Sequence, residues 1–553
     1  IESLADSQGG IHIEQVAWQV EGLSIDAFRA AWNDVIARHP VLRTGFIWQG
    51  QKQFLQAVLA SVKLPMKLES TVSLDRDEVA ELMRKERKRG FKLNKPPLMR
   101  LRVLANGDAH LVIWTFHHII LDGWSVSLVL RDLQERYGLH RAGEPPALPP
   151  APSFERYIRW ILQQDRGDAE RYWRDELRGA SATLPGVPAQ HGPQPPHDSA
   201  GDECGFRLGV DRAGAIRRLT RSRGLTASAV LQGVLAAQLS GYAQTEDALF
   251  GITVSGRPSR IADVEEICGL FINTVPVRYR LQSGRGLLEQ LTANQDHRRE
   301  RSAFEFLSTG EIHRCCGYDA TVPLFHVLLV VENFPEHEGD AGAASLQIVD
   351  QQTEGARTDY LLVLLATCRE DIEIKLIFDQ RRMAYTSAQR FADDLEALLQ
   401  HLASDSETTV EALIGRLGAE PPEISAAVAQ AGSRAGMVPR DDLEMQLLLL
   451  WRDILGTREI ALDDNFFALG GHSLLAIELM AEVRKRFGRE LPLAELFKQP
   501  TIAHLAMLLR DREPGPWQPV VELSGDQGQP SDGTTLFCIH PLGGGVVTYM
   551  ALA

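Results

Sequence analysis

Residues 11–20, IHIEQVAWQV, alternate apolar and polar side chains, the period-two pattern of a strand with one face on a core. The spacing then changes. Ser24 is placed to cap a helix in which Phe28, Trp32, Val35 and Ile36 share one face, and the pattern stops at Arg38-His39-Pro40. Leu98 to Leu104 and Ala109 to Thr115 predict two strands joined by the Asn106-Gly107-Asp108 turn. After the second of them, Val126, Leu128, Val129, Leu130, Leu133 and Tyr137 recur at helical spacing, so a strand gives way to a helix across residues 115–125. Further on, Ala227 to Leu239 predicts a strongly apolar helix and Ala248 to Val254 a strand. Tyr157, Trp160, Tyr172 and Trp173 fall on predicted helices, where aromatic faces serve a core.

Breaks in this pattern divide the chain. Pro145 to Pro152 (PPALPPAP) reads as an extended connector, and residues 183–199, rich in Pro, Gly and His, as a loop or crossing. Residues 418–440 carry Pro, Ala, Gly and Ser without amphipathic strength and read as a linker. A compact helical unit follows: one helix from Asp441-Asp442 through Trp451 and Leu455, a second from Ser473 to Phe487, and short helices through Leu509. Near the end, Thr534 to Gly545 reads as a strand followed by a glycine turn.

Composition narrows the class. At 553 residues the chain exceeds one ordinary domain, and 44% hydrophobic with 24% charged residues describes a soluble globular protein. A formal net charge of −15 argues against nucleic acid as a partner, because phosphate binding needs a basic surface. No apolar run reaches the roughly 20 residues that span a bilayer, and Ile1-Glu2-Ser3-Leu4-Ala5-Asp6 lacks the features of a signal peptide. Cys204, Cys268, Cys315, Cys316, Cys368 and Cys538 show neither disulfide rhythm nor CxxC pairs, which fits free thiols in a reducing cytoplasm and gives no metal site.

The candidate chemistry lies in Thr115-Phe116-His117-His118-Ile119-Ile120-Leu121-Asp122-Gly123-Trp124-Ser125, where the strand turns into the helix. Imidazole is the side chain whose ordinary pKa suits proton transfer near neutrality. Two adjacent histidines alone are compatible with a packed core. Asp122, four residues after His118, and Gly123, which permits a tight turn, shift the reading towards catalysis.

His117-His118-x-x-x-Asp122-Gly123 resembles the HHxxxDG motif of nonribosomal peptide synthetase condensation domains. The continuation Trp124-Ser125 differs from the Val-Ser-Trp-Arg usual in epimerisation domains, and heterocyclisation domains replace both histidines with aspartates. Further segments resemble the same family in its order: His39-Pro40 to Phe46 (HPxLRTxF), Tyr172-Trp173-Arg174, Ser255-Gly256-Arg257-Pro258, Gly269 to Arg278 (GxFINTxPxR), and Pro323-Leu324-Phe325 with Glu332-Asn333-Phe334-Pro335. The LSPxQ-like opening usual in the family is not present at residue 1. Gly470-Gly471-His472-Ser473-Leu474, preceded by Asp464-Asn465-Phe466-Phe467, resembles a peptidyl carrier protein, and Thr534 to Gly545 resembles the opening of a thioesterase without its nucleophile elbow.

The resemblance implies an α/β fold: a two-lobed, chloramphenicol-acetyltransferase-like condensation domain plus a small all-α four-helix carrier domain. The expected boundaries are 1–417 for the condensation domain, with lobes of about 1–175 and 176–417, then 418–440 as linker, 441–512 as carrier and 513–553 as linker and truncated thioesterase-like segment. The implied reaction is amide formation between a thioester on an upstream donor carrier and an acceptor amine. His118 acts as base or positions the amine, and the Gly123 N–H is a candidate oxyanion donor. His117 and Asp122 are structural, with Arg278 the expected partner of Asp122 and Arg43 the alternative. Ser473 is the expected attachment point of 4'-phosphopantetheine. No adenylation domain lies between the two units, so loading is expected in trans, by a separate adenylation enzyme. A phosphopantetheinyl transferase and a downstream thioesterase complete the expected partners. The alternatives are an ester-forming or free-amine acyltransferase of the same fold, or an epimerisation or recruitment relative.

Overall fold

The computed structural model describes residues 12–47, 55–71, 76–144, 149–188, 203–317, 323–332, 346–354, 360–380, 382–418, 420–425, 439, 441–455, 460–466, 469, 473–489 and 491–510. Several sequence expectations lie outside them: the chain opening, Pro145 to Leu148 of the proline connector, residues 189–199 of the crossing, Asn333-Phe334-Pro335, most of the linker, Gly470-Gly471-His472 and the thioesterase-like segment. The chain divides into two compact units, the larger holding both main sheets and the smaller the helices after residue 440.

The main strands of the larger unit are β1 (Ile13–Glu21), β2 (Met66–Ser70), β3 (Met99–Asn106), β4 (Ala109–His117), β5 (Glu203–Leu208), β6 (Asp247–Val254), β7 (Asn273–Arg280), β8 (Val327–Glu332), β9 (Gln347–Glu354), β10 (Leu362–Cys368) and β11 (Ile372–Phe378). Its helices include α1 (Ile25–Arg38), α2 (Arg76–Arg89), α3 (Gly123–Ala142), α4 (Glu155–Leu162), α5 (Arg166–Glu176), α6 (Val210–Ser222), α7 (Ala227–Ala243) and α8 (Tyr385–Ser404). Strands β9-β1-β4-β3-β2 form the first sheet in that order, and β7-β6-β8-β10-β11-β5 the second.

In the first sheet β1 runs antiparallel to β4, with Ile13 opposite His117 and Glu14 opposite Phe116. The core beneath it is aromatic. Trp32 of α1 meets Trp114 of β4 edge-on at 5.2 Å, and Trp114 lies 4.5 Å from Phe116. The end of α1 is tied to α3 by Asp132, whose Oδ2 accepts from His39 Nε2 at 2.7 Å and forms an ion pair with Arg38 at 2.7 Å. The hairpin between β3 and β4 turns at Gly107, whose φ of 61° lies in the left-handed region.

The other edge of this sheet is supplied from far along the chain. Strand β9 pairs antiparallel with β1, from Gln15 opposite Glu354 to Glu21 opposite Gln347. Residues assigned by the sequence to the second lobe therefore complete the first. QIVDQQTE carries too little apolar alternation to indicate which sheet it joins, and backbone hydrogen bonding to β1 decides it.

The second sheet is mixed: β8 runs parallel to β6 and β10, while the other pairs are antiparallel. Helix α7 packs on it and is buried from Ala229 to Tyr242, which explains a sequence apolar on every face. In the smaller unit, α9 (Asp442–Leu455), α10 (Ser473–Phe487), α11 (Leu493–Lys498) and α12 (Ile502–Arg510) surround Leu448, Trp451, Phe466, Leu479, Val483 and Leu505. Asp441 caps α9 through the Glu444 N–H at 2.9 Å. Arg510 of α12 reaches both Asp441 and the buried Glu444 at 2.7 Å, fastening the last helix to the first.

Gly251 of β6 tests the packing of the second sheet. A Cβ there would sit 2.2 Å from the Phe325 ring, which is itself stacked on Tyr360 at 5.3 Å. Gly251→Ala is expected to destabilise the larger unit by about 1–3 kcal/mol, the usual cost of overpacking. Gly284→Ala, whose Cβ meets nothing within 4 Å, should stay near wild type in the same chemical denaturation series.

Candidate active site

The two histidines stand at the end of β4 in opposite surroundings. His117 is buried, and its backbone N–H donates to Leu98 O at 3.0 Å. Its Nδ1 accepts the Ile119 N–H at 3.1 Å, so the ring proton sits on Nε2. Burial, with the rings of His12 and His118 adding repulsion, pushes its pKa from 6.5 down to about 3. His117 is therefore a neutral ring that shapes the turn.

His118 continues the ladder by one more bond, its N–H donating to His12 O at 2.7 Å. Its Nδ1 lies 2.6 Å from Leu121 O. A carbonyl oxygen only accepts, so Nδ1 carries a proton and Nε2 is left for acid–base work. Nε2 is 3.5 Å from Glu14 Oε1, with the two side chains 20% and 18% exposed. Burial opposes the charged ring, but the Glu14 carboxylate, the Leu121 carbonyl and Asp122 outweigh it and raise the pKa above its ordinary value. Glu14 is raised as well, chiefly by burial, with Asp122 and Glu332 adding to it and His118 and Arg87 opposing.

Asp122 is fully buried and serves two structures at once. It caps α3, with Oδ1 accepting the Ser125 N–H at 2.8 Å. Its Oδ2 accepts the Phe271 N–H at 3.0 Å, from the segment leading into β7. The cation beside it is Arg257, whose Nη2 donates to Oδ1 at 3.2 Å. Ser125 adds a reciprocal pair: its Oγ donates to Gly269 O at 2.8 Å and accepts the Gly269 N–H at 3.0 Å.

Arg257 is held through both of its terminal nitrogens. Its Nη1 donates to Val264 O at 2.7 Å and to Ile267 O at 2.9 Å, and its guanidinium lies over the Phe271 ring at 4.0 Å. The preceding Gly256 has φ 61°, and a Cβ there would meet Phe271 O at 1.8 Å, so a side chain cannot be accommodated. Trp124 donates to Glu265 O at 2.8 Å and also faces Arg257, at 5.4 Å.

These contacts correct the expected pairing. Arg278 does not reach Asp122. It forms a two-pronged pair with Asp247 at 2.5 and 2.8 Å and donates to the Glu176 and Arg178 carbonyls. Arg43 donates to the backbone carbonyls of Ile36, Leu59, Ala60 and Ala37. Arg278 lies within β7 and Arg43 ends the turn Pro40–Arg43, whereas Arg257 lies on the turn that crosses to Asp122. Sequence reasoning noticed the Ser255-Gly256-Arg257-Pro258 turn without assigning its arginine a role, and it missed Glu14, because the approach to His118 depends on strand register.

Gly123 is the first residue of α3, and Ser473 the first residue of α10. The first turn of α10 holds no acidic residue, so no carboxylate of that turn opposes a phosphate at its N-terminal peptide dipoles. On that ground the residues present fit a phosphopantetheine.

Two family models match separate parts of the chain. Residues 2–414 match the family model of the condensation domain, and residues 446–509 that of the phosphopantetheine attachment site. A linear gramicidin synthase from Brevibacillus parabrevis is 31% identical over 415 residues, which are 74% of this chain and 8% of that protein. Chondramide synthase cmdD of Chondromyces crocatus is 31% identical over 412 residues, 73% of this chain and 10% of that one. The chain thus spans a tenth or less of these curated relatives. Among solved structures, the X-domain from teicoplanin biosynthesis superposes with a TM-score of 0.62 at 24% identity, covering 75% of this chain and 94% of that one. The condensation domain from Monacolin K polyketide synthase MokA gives 0.62 at 18%, covering 74% and 96%. These two likenesses establish the fold.

Two outcomes follow from the geometry. Arg257→Ala strands a buried carboxylate and should cost about 3–5 kcal/mol. In a double-mutant cycle with Asp122→Asn it should be strongly coupled, while Arg278→Ala with Asp122→Asn should be additive, both read by chemical denaturation. His117 gives a pH dependence. Its native pKa of about 3 lies below the ordinary 6.5, so the unfolded chain binds the extra proton between those values. The stability it contributes is complete above 6.5 and falls as pH drops towards 3; a His117→Gln chain should show a flatter acid limb in melting temperature.

Proposed function

From a chain that belongs to the condensation-domain family and carries a phosphopantetheine attachment domain behind it, we propose a synthetase fragment that forms an amide. The donor is an acyl or peptidyl thioester brought by an upstream carrier. The acceptor is an amine. Attached at Ser473, the phosphopantetheine arm would supply a flexible thiol on which the acceptor or product is carried.

The observation that carries this reading is the setting of His118. The Leu121 carbonyl fixes its tautomer, and the strand end and capped helix fix its position, so that Nε2 alone is left to exchange a proton. The amine nitrogen attacks the thioester carbonyl carbon; the N–C bond forms and the C–S bond breaks. The amine proton passes to His118 Nε2 and from there to the departing sulfur. Such proton transfer is worth roughly 10²–10⁴-fold, with alignment of the two substrates adding to it. His117 stays neutral and supports the turn. Asp122, already engaged by two backbone N–H groups and Arg257, has no part in the proton path. Gly123 opens α3, and its N–H is the proposed donor to the oxyanion.

We further read residues 1–417 as the condensation domain and 441–512 as the carrier, with 418–440 between them. An adenylation domain needs several hundred residues, so an enzyme acting in trans loads the carrier.

The test uses four chains. Treated with a phosphopantetheinyl transferase and coenzyme A, wild type and His118→Ala should gain the mass of one arm, and Ser473→Ala should gain none. Given a donor thioester and a loaded acceptor, His118→Ala should retain its melting temperature and lose product by about 10²-fold or more. His117→Ala should instead lose melting temperature and soluble yield. A loaded His118→Ala chain that condenses at the wild-type rate overturns the proposed role.

A further inference from the structure

Glu14 lies on β1, opposite Phe116 in the ladder with β4, and the pairing continues past the strand end through the bond from the His118 N–H to His12 O. That register sets the Glu14 carboxylate beside His118, its Oε1 3.5 Å from Nε2. The separation is longer than a well-formed hydrogen bond, so the carboxylate acts on the ring through charge and leaves Nε2 able to meet a substrate proton. Both side chains are largely removed from water, which strengthens that interaction. We propose that Glu14 is a positioning residue for the condensation step, its carboxylate facing His118 Nε2 and setting the pH at which Nε2 becomes free to take the amine proton. This rests on the condensation reading given above.

The charged groups around the pair come from four elements. Asp122 from the turn and Glu332 from β8 are negative, Arg87 from α2 is positive, and His118 faces Glu14 itself. Asp122 is paired with Arg257 and adds a smaller influence, and Glu14 is the largest single influence favouring a charged His118. The proton balance is simple. From the charged ring, loss of the Nε2 proton to solvent leaves the Nδ1-protonated imidazole, whose Nε2 then takes the amine proton as the N–C bond forms and returns it to the leaving sulfur.

Removing the carboxylate must lower the imidazole pKa, because the negative charge favours the charged ring. Full-length protein labelled at histidine ¹³Cε1 can be titrated by NMR, with the His118 resonance assigned by its loss in His118→Ala. The wild-type midpoint should lie above 6.5, Glu14→Gln should move it to lower pH, and Glu14→Asp should bring it back up. The acid limb of product formation should move with it. A wild-type midpoint at or below 6.5 overturns the proposal without any variant, and so does a midpoint unmoved in Glu14→Gln. Should the midpoint move while wild-type protein forms no product, the pairing stands and the condensation reading falls. Should wild type form product with the midpoint unmoved, the pairing falls alone.

Discussion

The buried pair of Asp122 and Arg257 is the interaction on which the site depends. A carboxylate with no exposure to water is tolerable only with a cation and hydrogen-bond donors around it. Here the cation and one donor, the Phe271 N–H, come from the C-terminal half, while the Ser125 N–H comes from the N-terminal half. The helix after the histidines therefore cannot be capped without drawing residues 257–271 against it. Desolvation makes that requirement strict: an Asp122 left without Arg257 would lie buried and charged.

Strand β9 fastens the same seam a second time by a different means. It leaves the second lobe's run of strands to pair with β1, so the strand bearing Glu14 is flanked by the histidine strand on one side and by chain from the second lobe on the other. Ionic capping fixes the turn, and backbone pairing fixes the strand that faces it. With both in place, the separation between Glu14 and His118 is set by sheet geometry rather than by flexible side chains alone.

Adjacent residues acquire opposite acid–base character from this arrangement. His117 points where burial and two neighbouring imidazoles disfavour charge, and its Nδ1 is occupied as an acceptor. His118 donates from Nδ1 and faces a carboxylate, so charge on it is favoured. One turn thus provides a rigid neutral support and a titrating group side by side. Their chemical difference comes from which backbone atoms and charges each ring meets.

Much of this was readable along the chain. The period-two run at residues 11–20, the helix capped by Ser24 and the hairpin at Gly107 are local matters, governed by side-chain alternation, capping and turn geometry. The HHxxxDG stretch was legible because strand, turn and helix succeed one another within a few residues. Three things were not. Arg257 lies 135 positions from Asp122, and an ion pair leaves no periodic trace in sequence; the family resemblance pointed to Arg278 instead. Glu14 reads as the polar half of an alternating strand until the register with β4 sets it beside His118. The membership of β9 in the first sheet rests on backbone hydrogen bonds, which every residue except proline can donate. Local pattern determined which elements form and where the histidines lie; long-range register and the desolvation of one carboxylate decided which charges meet them.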